Sequence, residues 1–184
     1  PLSLGDVTLK AEGGLLPGLF PNEPPTEREA PASQASDNAH RRYRPVVDVP
    51  SEADWMPLNG LDEEYAHRHF AGLTLDEAYE LFKIDALYYN EDLMHMPAQC
   101  CQFYVQACCR YLVSSESSGD CDGASSFISS VEMFAPGIRG TPAGELVLET
   151  LRHVSRNQGL YQADPNIYGS FEARCARAAT WLDR

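Results

Sequence analysis

Beyond residue 60, apolar residues recur at the spacing of an amphipathic helix. The segment that follows Thr74 is the clearest case, because apolar side chains return every three or four positions and so share one helical face. Thr74 is followed three residues later by Glu77, a pair typical of the capping box at a helix start. The apolar positions of this predicted helix are Leu75, Tyr79, Phe82, Ala86 and Tyr89, and Asp76, Glu80 and Lys83 lie on the opposite face.

The same periodicity predicts several further helices. Acidic residues in a first turn favour a helix that begins near Leu61, and a first-turn proline favours one that begins at Pro97. The others are a short helix from Ala124 to Pro136–Gly137, one from Thr141–Pro142 to about Gly159, and a last one capped by Asp164 or Ser170. We therefore predict a mainly α fold, a bundle of five or six helices spanning residues 58–184.

Residues 1–57 have a different composition. Nine of the thirteen prolines precede residue 60, and proline breaks helices and removes a backbone donor. The segment Pro21–His40 contains almost no large apolar residue, which is typical of a linker. We predict an irregular, Pro-rich N-terminal arm over residues 1–57, with two candidate short strands at Asp6–Glu12 and Arg44–Pro50.

Four of the six cysteines form two adjacent pairs in the helix predicted after Pro97. On a helix, Cys101 and Cys108 share a face but lie about 10 Å apart, beyond the roughly 7 Å limit for a disulfide. Cys100 and Cys109 lie on opposite sides, and the sequence has no CxxC pair of the zinc type. Because a free cysteine packs as a small hydrophobe, we predict that these residues belong to the core. Six reduced cysteines favour a reducing compartment, so we expect a cytoplasmic protein.

The net charge of −13 limits the partners of this protein. Such a chain is repelled by nucleic-acid phosphates and anionic membranes, and no apolar run reaches the ~18–20 residues of a membrane span. More than half of the charge falls between residues 62 and 92. This segment has nine acidic residues and two basic ones, Arg68 and Lys83; the acidic residues are Asp62, Glu63, Glu64, Asp76, Glu77, Glu80, Asp85, Glu91 and Asp92.

The acidic segment has two interpretations. It is either a solvated face that aids solubility or a docking surface for a basic partner, whose association complementary charge would accelerate. Tyr65, Tyr88 and Tyr89 lie in the same segment. They are candidate anchors of an interface, although core packing accounts for them equally well.

Catalytic and cofactor motifs are absent from the sequence. It contains no P-loop, dinucleotide-binding fingerprint, HExxH or GxSxG, so we predict no cofactor. The stretch Ser117–Ser129 partly resembles a calcium loop but has Ser129 where the bidentate Glu belongs; a polar turn in which Asp122 caps the next helix is favoured. A metal site formed by His67, His95 and Cys101 remains the alternative, and would make the protein a small metal-dependent hydrolase.

The segment DLMHMPAQCCQFYVQACCRYLVSS (Asp92–Ser115) is an amphipathic, Pro-started helix that ends in a polar loop. In an acidic helical domain without a catalytic motif, it resembles the immunity proteins that neutralise bacterial toxins of secretion and contact-dependent systems. The excess of arginine over lysine, twelve against two, suits a GC-rich bacterium. The resemblance implies that the acidic surface over Asp62–Asp92 docks on a basic toxin and covers its active site. A chaperone or adaptor for a secreted protein is a third possibility.

Overall fold

The computed structural model describes residues 48–183, and within them the chain is helical and contains no β-strand. A 3₁₀ turn lies at Ser115–Ser117. The helices are α1 (Glu52–Trp55), α2 (Leu61–Phe70), α3 (Leu75–His95), α4 (Ala98–Leu112), α5 (Cys121–Ile138), α6 (Pro142–Arg156), α7 (Pro165–Tyr168) and α8 (Phe171–Ala179). The predicted mainly α fold is confirmed, and six of these helices are longer than two turns. The candidate strand at Asp6–Glu12 and most of the one at Arg44–Pro50 lie outside the described residues.

Helix α4 is the centre of the bundle. It packs against α3, α5 and α6, and eleven of its fifteen residues are buried. Because neighbours surround it, both predicted sides of the cysteine helix are covered, and Cys100, Cys101, Cys108 and Cys109 are all at most 2% exposed. All six cysteines are free thiols. The prediction that the paired cysteines belong to the core is therefore confirmed.

Burial makes five of the six thiols poor nucleophiles, which gives a direct test of the core. Desolvation raises the pKa of Cys100, Cys109 and Cys175 to about 12, and only Cys121 is partly exposed. We expect an aromatic disulfide reagent at pH 8 to titrate one thiol rapidly in the folded protein and all six in denaturant. The Cys121→Ser variant should show no rapid phase. Rapid reaction of several thiols in that folded variant would contradict the packed core.

Local capping bonds fix where the helices begin. Thr74 accepts a hydrogen bond from the Glu77 amide and the Glu77 carboxylate accepts one from the Thr74 amide, so the predicted capping box is confirmed. The prediction for α5 was wrong: Asp120, not Asp122, accepts the bond from the Gly123 amide, at 2.9 Å. The Asp122 carboxylate instead accepts a hydrogen bond from the hydroxyl of Tyr168, at 2.7 Å.

Two details of the helices differ from the sequence pattern. Pro136 does not end α5; it lies in the last turn, and the helix continues to Ile138. The last predicted helix is in fact two, because both candidate caps are used. Asp164 accepts from the Asn166 amide and starts α7, whereas Ser170 accepts from the Ala173 amide and starts α8.

Helix α3 is interrupted at Asp85. This residue has a non-helical backbone (φ −159°, ψ 87°), and its carboxylate accepts a hydrogen bond from the Tyr88 amide at 3.0 Å. The bond caps the second half of α3 as an aspartate caps a helix start. The next residue, Ala86, faces Gly123 of α5 so closely that a Cβ at Gly123 would lie 2.7 Å from the Ala86 Cβ. Glycine is therefore required where α3 and α5 meet.

The packed region begins before residue 58. The side chain of Trp55 in α1 is fully buried, with its ring edge-on to His67 at 5.3 Å and 6.0 Å from Tyr104. The thiol of Cys100 donates to the backbone carbonyl of Asp54 at 3.5 Å. The boundary predicted after residue 57 therefore falls inside the packed region, and α1 belongs to the helical domain.

Candidate functional site

The acids of the first turn of α2 form one part of the predicted docking surface. Asp62 and Glu64 are exposed and Glu63 is half-buried. None of the three forms an ion pair within residues 48–183. Their charges are thus not neutralised by the described part of the chain, and they lie at a helix N-terminus, where the macrodipole favours negative charge.

Three acids of α3 are engaged within the protein. Asp76 pairs with Arg110 at 2.6 Å, and Glu80 pairs with Lys83 at 2.9 Å. The Glu77 carboxylate accepts hydrogen bonds from the backbone amide and the hydroxyl of Thr74, which lower the pKa of its carboxyl. Exposed ion pairs of this kind contribute little to stability, but they reduce the charge that these acids offer to a partner. We therefore place the first half of α3 outside the candidate site.

Asp92 does not lie on the surface. Its side chain is only 10% exposed and lies 2.8 Å from Nδ1 of His69. Burial raises the pKa of the Asp92 carboxyl, and the hydrogen bond from His69 opposes that rise. The expectation that Asp92 contacts a partner is corrected, because its carboxylate is buried and accepts a hydrogen bond from the His69 ring.

His69 joins the two tyrosines that the sequence suggested as anchors. Its ring centroid lies 6.2 Å from that of Tyr65 and 5.5 Å from that of Tyr88, and each tyrosine is 46% exposed. Tyr65 belongs to α2 and Tyr88 to the second half of α3, so the structure brings together residues 23 positions apart. Tyr89 differs, since it also packs edge-on against the buried Phe70 at 5.9 Å.

Exposed acidic and apolar side chains lie near these two tyrosines in the sequence of α2 and α3. Asp85 and Glu91 are exposed on either side of Tyr88 along α3. Leu61, Ile84 and Leu87 are also exposed, at 72%, 75% and 46%. We define the acidic–aromatic surface as Asp62, Glu63, Glu64, Tyr65, Asp85, Tyr88 and Glu91. The sequence pattern did not indicate Leu61, Ile84 and Leu87 as exposed apolar residues, because helical periodicity identifies only the positions of the buried apolar stripe.

The candidate metal ligands are not brought together. His67 lies 3.0 Å from the Glu52 carboxylate, His95 is the last residue of α3, and Cys101 is buried within α4. Within residues 48–183, no three His, Cys, Asp or Glu side chains are placed to hold a metal ion.

Comparisons with protein-family models, curated proteins and solved structures gave no match to this chain. Among the described helices, none combines the length and apolar character needed to cross a membrane. Any statement of function therefore depends on the chemistry of the acidic–aromatic surface itself.

Proposed function

We propose that the protein is a non-catalytic binding protein that docks a basic protein on its acidic–aromatic surface and blocks it, in the manner of a toxin-neutralising immunity protein. One observation carries the proposal: Tyr65 and Tyr88 are half-exposed, share His69 between them, and are bordered by carboxylates without ion-pair partners in the described chain.

The charges and the tyrosines have different roles in this mechanism. The carboxylates of Asp62, Glu64 and Glu91 attract a positive surface and raise the rate of encounter. Once in contact, aromatic side chains supply most of the binding free energy, because each removes a large area from water. A partner with lysine or arginine side chains around an apolar centre fits both features.

The support beneath the tyrosines favours tight binding. Asp92 fixes the ring of His69, and His69 in turn contacts both Tyr65 and Tyr88. Side chains that are held in place before binding lose less rotamer entropy when the complex forms. The buried acid thus contributes indirectly, through the position of the aromatic rings.

A chaperone or adaptor for a secreted protein would use the same surface. The two functions differ in their effect on the partner: an inhibitor abolishes the partner's activity at a ratio of one to one, whereas a chaperone leaves a mature partner active. The hydrolase alternative requires a cluster of metal ligands, and residues 48–183 offer none.

Affinity capture from the source cells tests the proposal. We expect wild-type protein to retain a basic protein at low ionic strength and to release it at high salt, because salt screens charges beyond roughly 10 Å at 0.1 M. The purified partner should lose its activity on addition of an equimolar amount of this protein. Retention of only acidic or metabolite-handling proteins, or a partner that stays active, would contradict the proposal.

A further inference from the structure

A second candidate site lies between α5 and the C-terminal segment, on elements that contribute nothing to the acidic–aromatic surface. A cavity of about 330 Å³ opens there. Ser129 and Glu132 of α5 line one side, while Arg174 and Arg177 of α8 and the following Trp181 line the other. This volume is at the lower end of the range for small-molecule sites, about 300–1,000 Å³.

The charge of this groove is unusual for the protein. Acidic residues outnumber lysine and arginine by 27 to 14 in the whole chain, yet two guanidinium groups line the same cavity. No carboxylate of residues 48–183 lies within 4.0 Å of either group. By contrast, Lys83 and Arg110 both have acidic partners. Glu132 adds one negative charge to the lining, so the two guanidinium groups leave the cavity with a net positive charge, which favours an anion.

Arg174 is a fixed positive charge. One terminal nitrogen donates to the Ser125 hydroxyl and the Tyr168 carbonyl, and the other donates to the Ser125 carbonyl and the Ser129 hydroxyl, at 2.8–2.9 Å. All four acceptors are neutral. Burial lowers the pKa of the Arg174 guanidinium, and the neighbouring charge of Arg177 lowers it further. Arginine nevertheless remains protonated in proteins, so the local excess of positive charge persists.

Arg177 is placed to meet a ligand. It is exposed at the groove, and no hydrogen bond or ion pair within the described chain engages its guanidinium. A guanidinium binds carboxylate and phosphate oxygens through two parallel hydrogen bonds. Trp181 also lines this cavity, and an aromatic side chain packs well against a planar group.

We propose that this groove binds a small organic anion with an aromatic ring, its single phosphate or carboxylate on Arg177 and its ring against Trp181. Glu132 restricts the ligand further, because a second negative group reaching across the cavity would meet a carboxylate. The size of the cavity and the presence of Glu132 both disfavour a polyanion such as nucleic acid. Phosphates and carboxylates share the chemistry that the groove recognises, and the test separates them.

Titration calorimetry of the full chain with phenyl phosphate and with benzoate tests this inference. We expect saturable 1:1 binding of at least one of the two, with a dissociation constant of about 1 mM or tighter, and none of benzyl alcohol, which has the ring without the charge. Arg177→Gln should weaken binding about tenfold or more, since a charge-assisted contact is lost. Glu132→Gln should strengthen it.

The control variant is Arg152→Gln, which removes an exposed arginine of α6 and leaves the groove intact. It should bind like the wild type, and thermal melting should show that all three variants fold. Equal weakening by Arg177→Gln and Arg152→Gln would indicate general charge attraction and overturn the proposal. Absence of saturable binding by either anion, or weaker binding by Glu132→Gln, would overturn it as well.

Discussion

Replacing Trp55 with alanine lowers the free energy of unfolding by about 3–5 kcal/mol, the range measured when large aromatic residues are removed from a core. The side chain is fully buried and packs against His67 and Tyr104, so its loss leaves a cavity between α1, α2 and α4. A small domain is stable by only about 5–15 kcal/mol, so the change is a large part of the total. Urea unfolding followed by far-ultraviolet circular dichroism measures it.

Trp55→Phe is the matched control. The buried Nε1 of Trp55 forms no hydrogen bond with the described residues, so phenylalanine removes volume but no polar contact. We expect it to destabilise the protein by clearly less than alanine does. If Trp55→Ala left the urea midpoint unchanged, α1 would not be part of the folded core, and the domain would begin near residue 58 after all.

The second large effect concerns the acidic–aromatic surface. Replacing Tyr65 and Tyr88 together with serine should raise the dissociation constant for the captured basic partner at least ~100-fold, since central aromatic residues of interfaces contribute about 2 kcal/mol or more each. Most of the change should be in the dissociation rate. Surface plasmon resonance with the immobilised partner separates the two rate constants.

Neutralising Asp62, Glu64 and Glu91 to their amides should act differently. The association rate should fall at low ionic strength and approach that of the wild type at high salt, because these charges guide encounter. Met133→Ser is the control for both variants, because Met133 is 61% exposed and belongs to α5, which contributes no residue to the acidic–aromatic surface.

Unchanged kinetics in the variant that lacks Tyr65 and Tyr88 would place the interface elsewhere.

The parts of the fold that short-range patterns determine could be predicted from the sequence. The capping box at Thr74 and the apolar period after it depend on residues within one turn of each other, and the buried cysteines follow from helical geometry. The break at Asp85 was hidden, because the apolar period continues across it. Pro136 was misread since a proline in the last turn disrupts little. The place of α1 depends on Trp55 meeting Tyr104, 49 residues later, which no local pattern reveals.

The candidate site was predictable only in its composition. The charge density along the chain indicated the acidic residues together with Tyr65 and Tyr88. It did not indicate which of the acidic residues form ion pairs within the protein. The pairing of Asp92 with His69 and of Asp76 with Arg110 joins separate helices and required the structure. The groove at Arg177 gave no signal, because an unpaired arginine looks like any other in a sequence.

The four cysteines of α4 also affect the chemistry of the newly synthesised chain before it folds. Before the bundle closes, each cysteine is hydrated and has the ordinary thiol pKa of about 8.5, so neighbouring chains can cross-link. Closure removes that risk by excluding oxidants and by holding Cys100 and Cys109 protonated. Maturation thus protects the sulfur atoms, and reductant matters during synthesis more than afterwards.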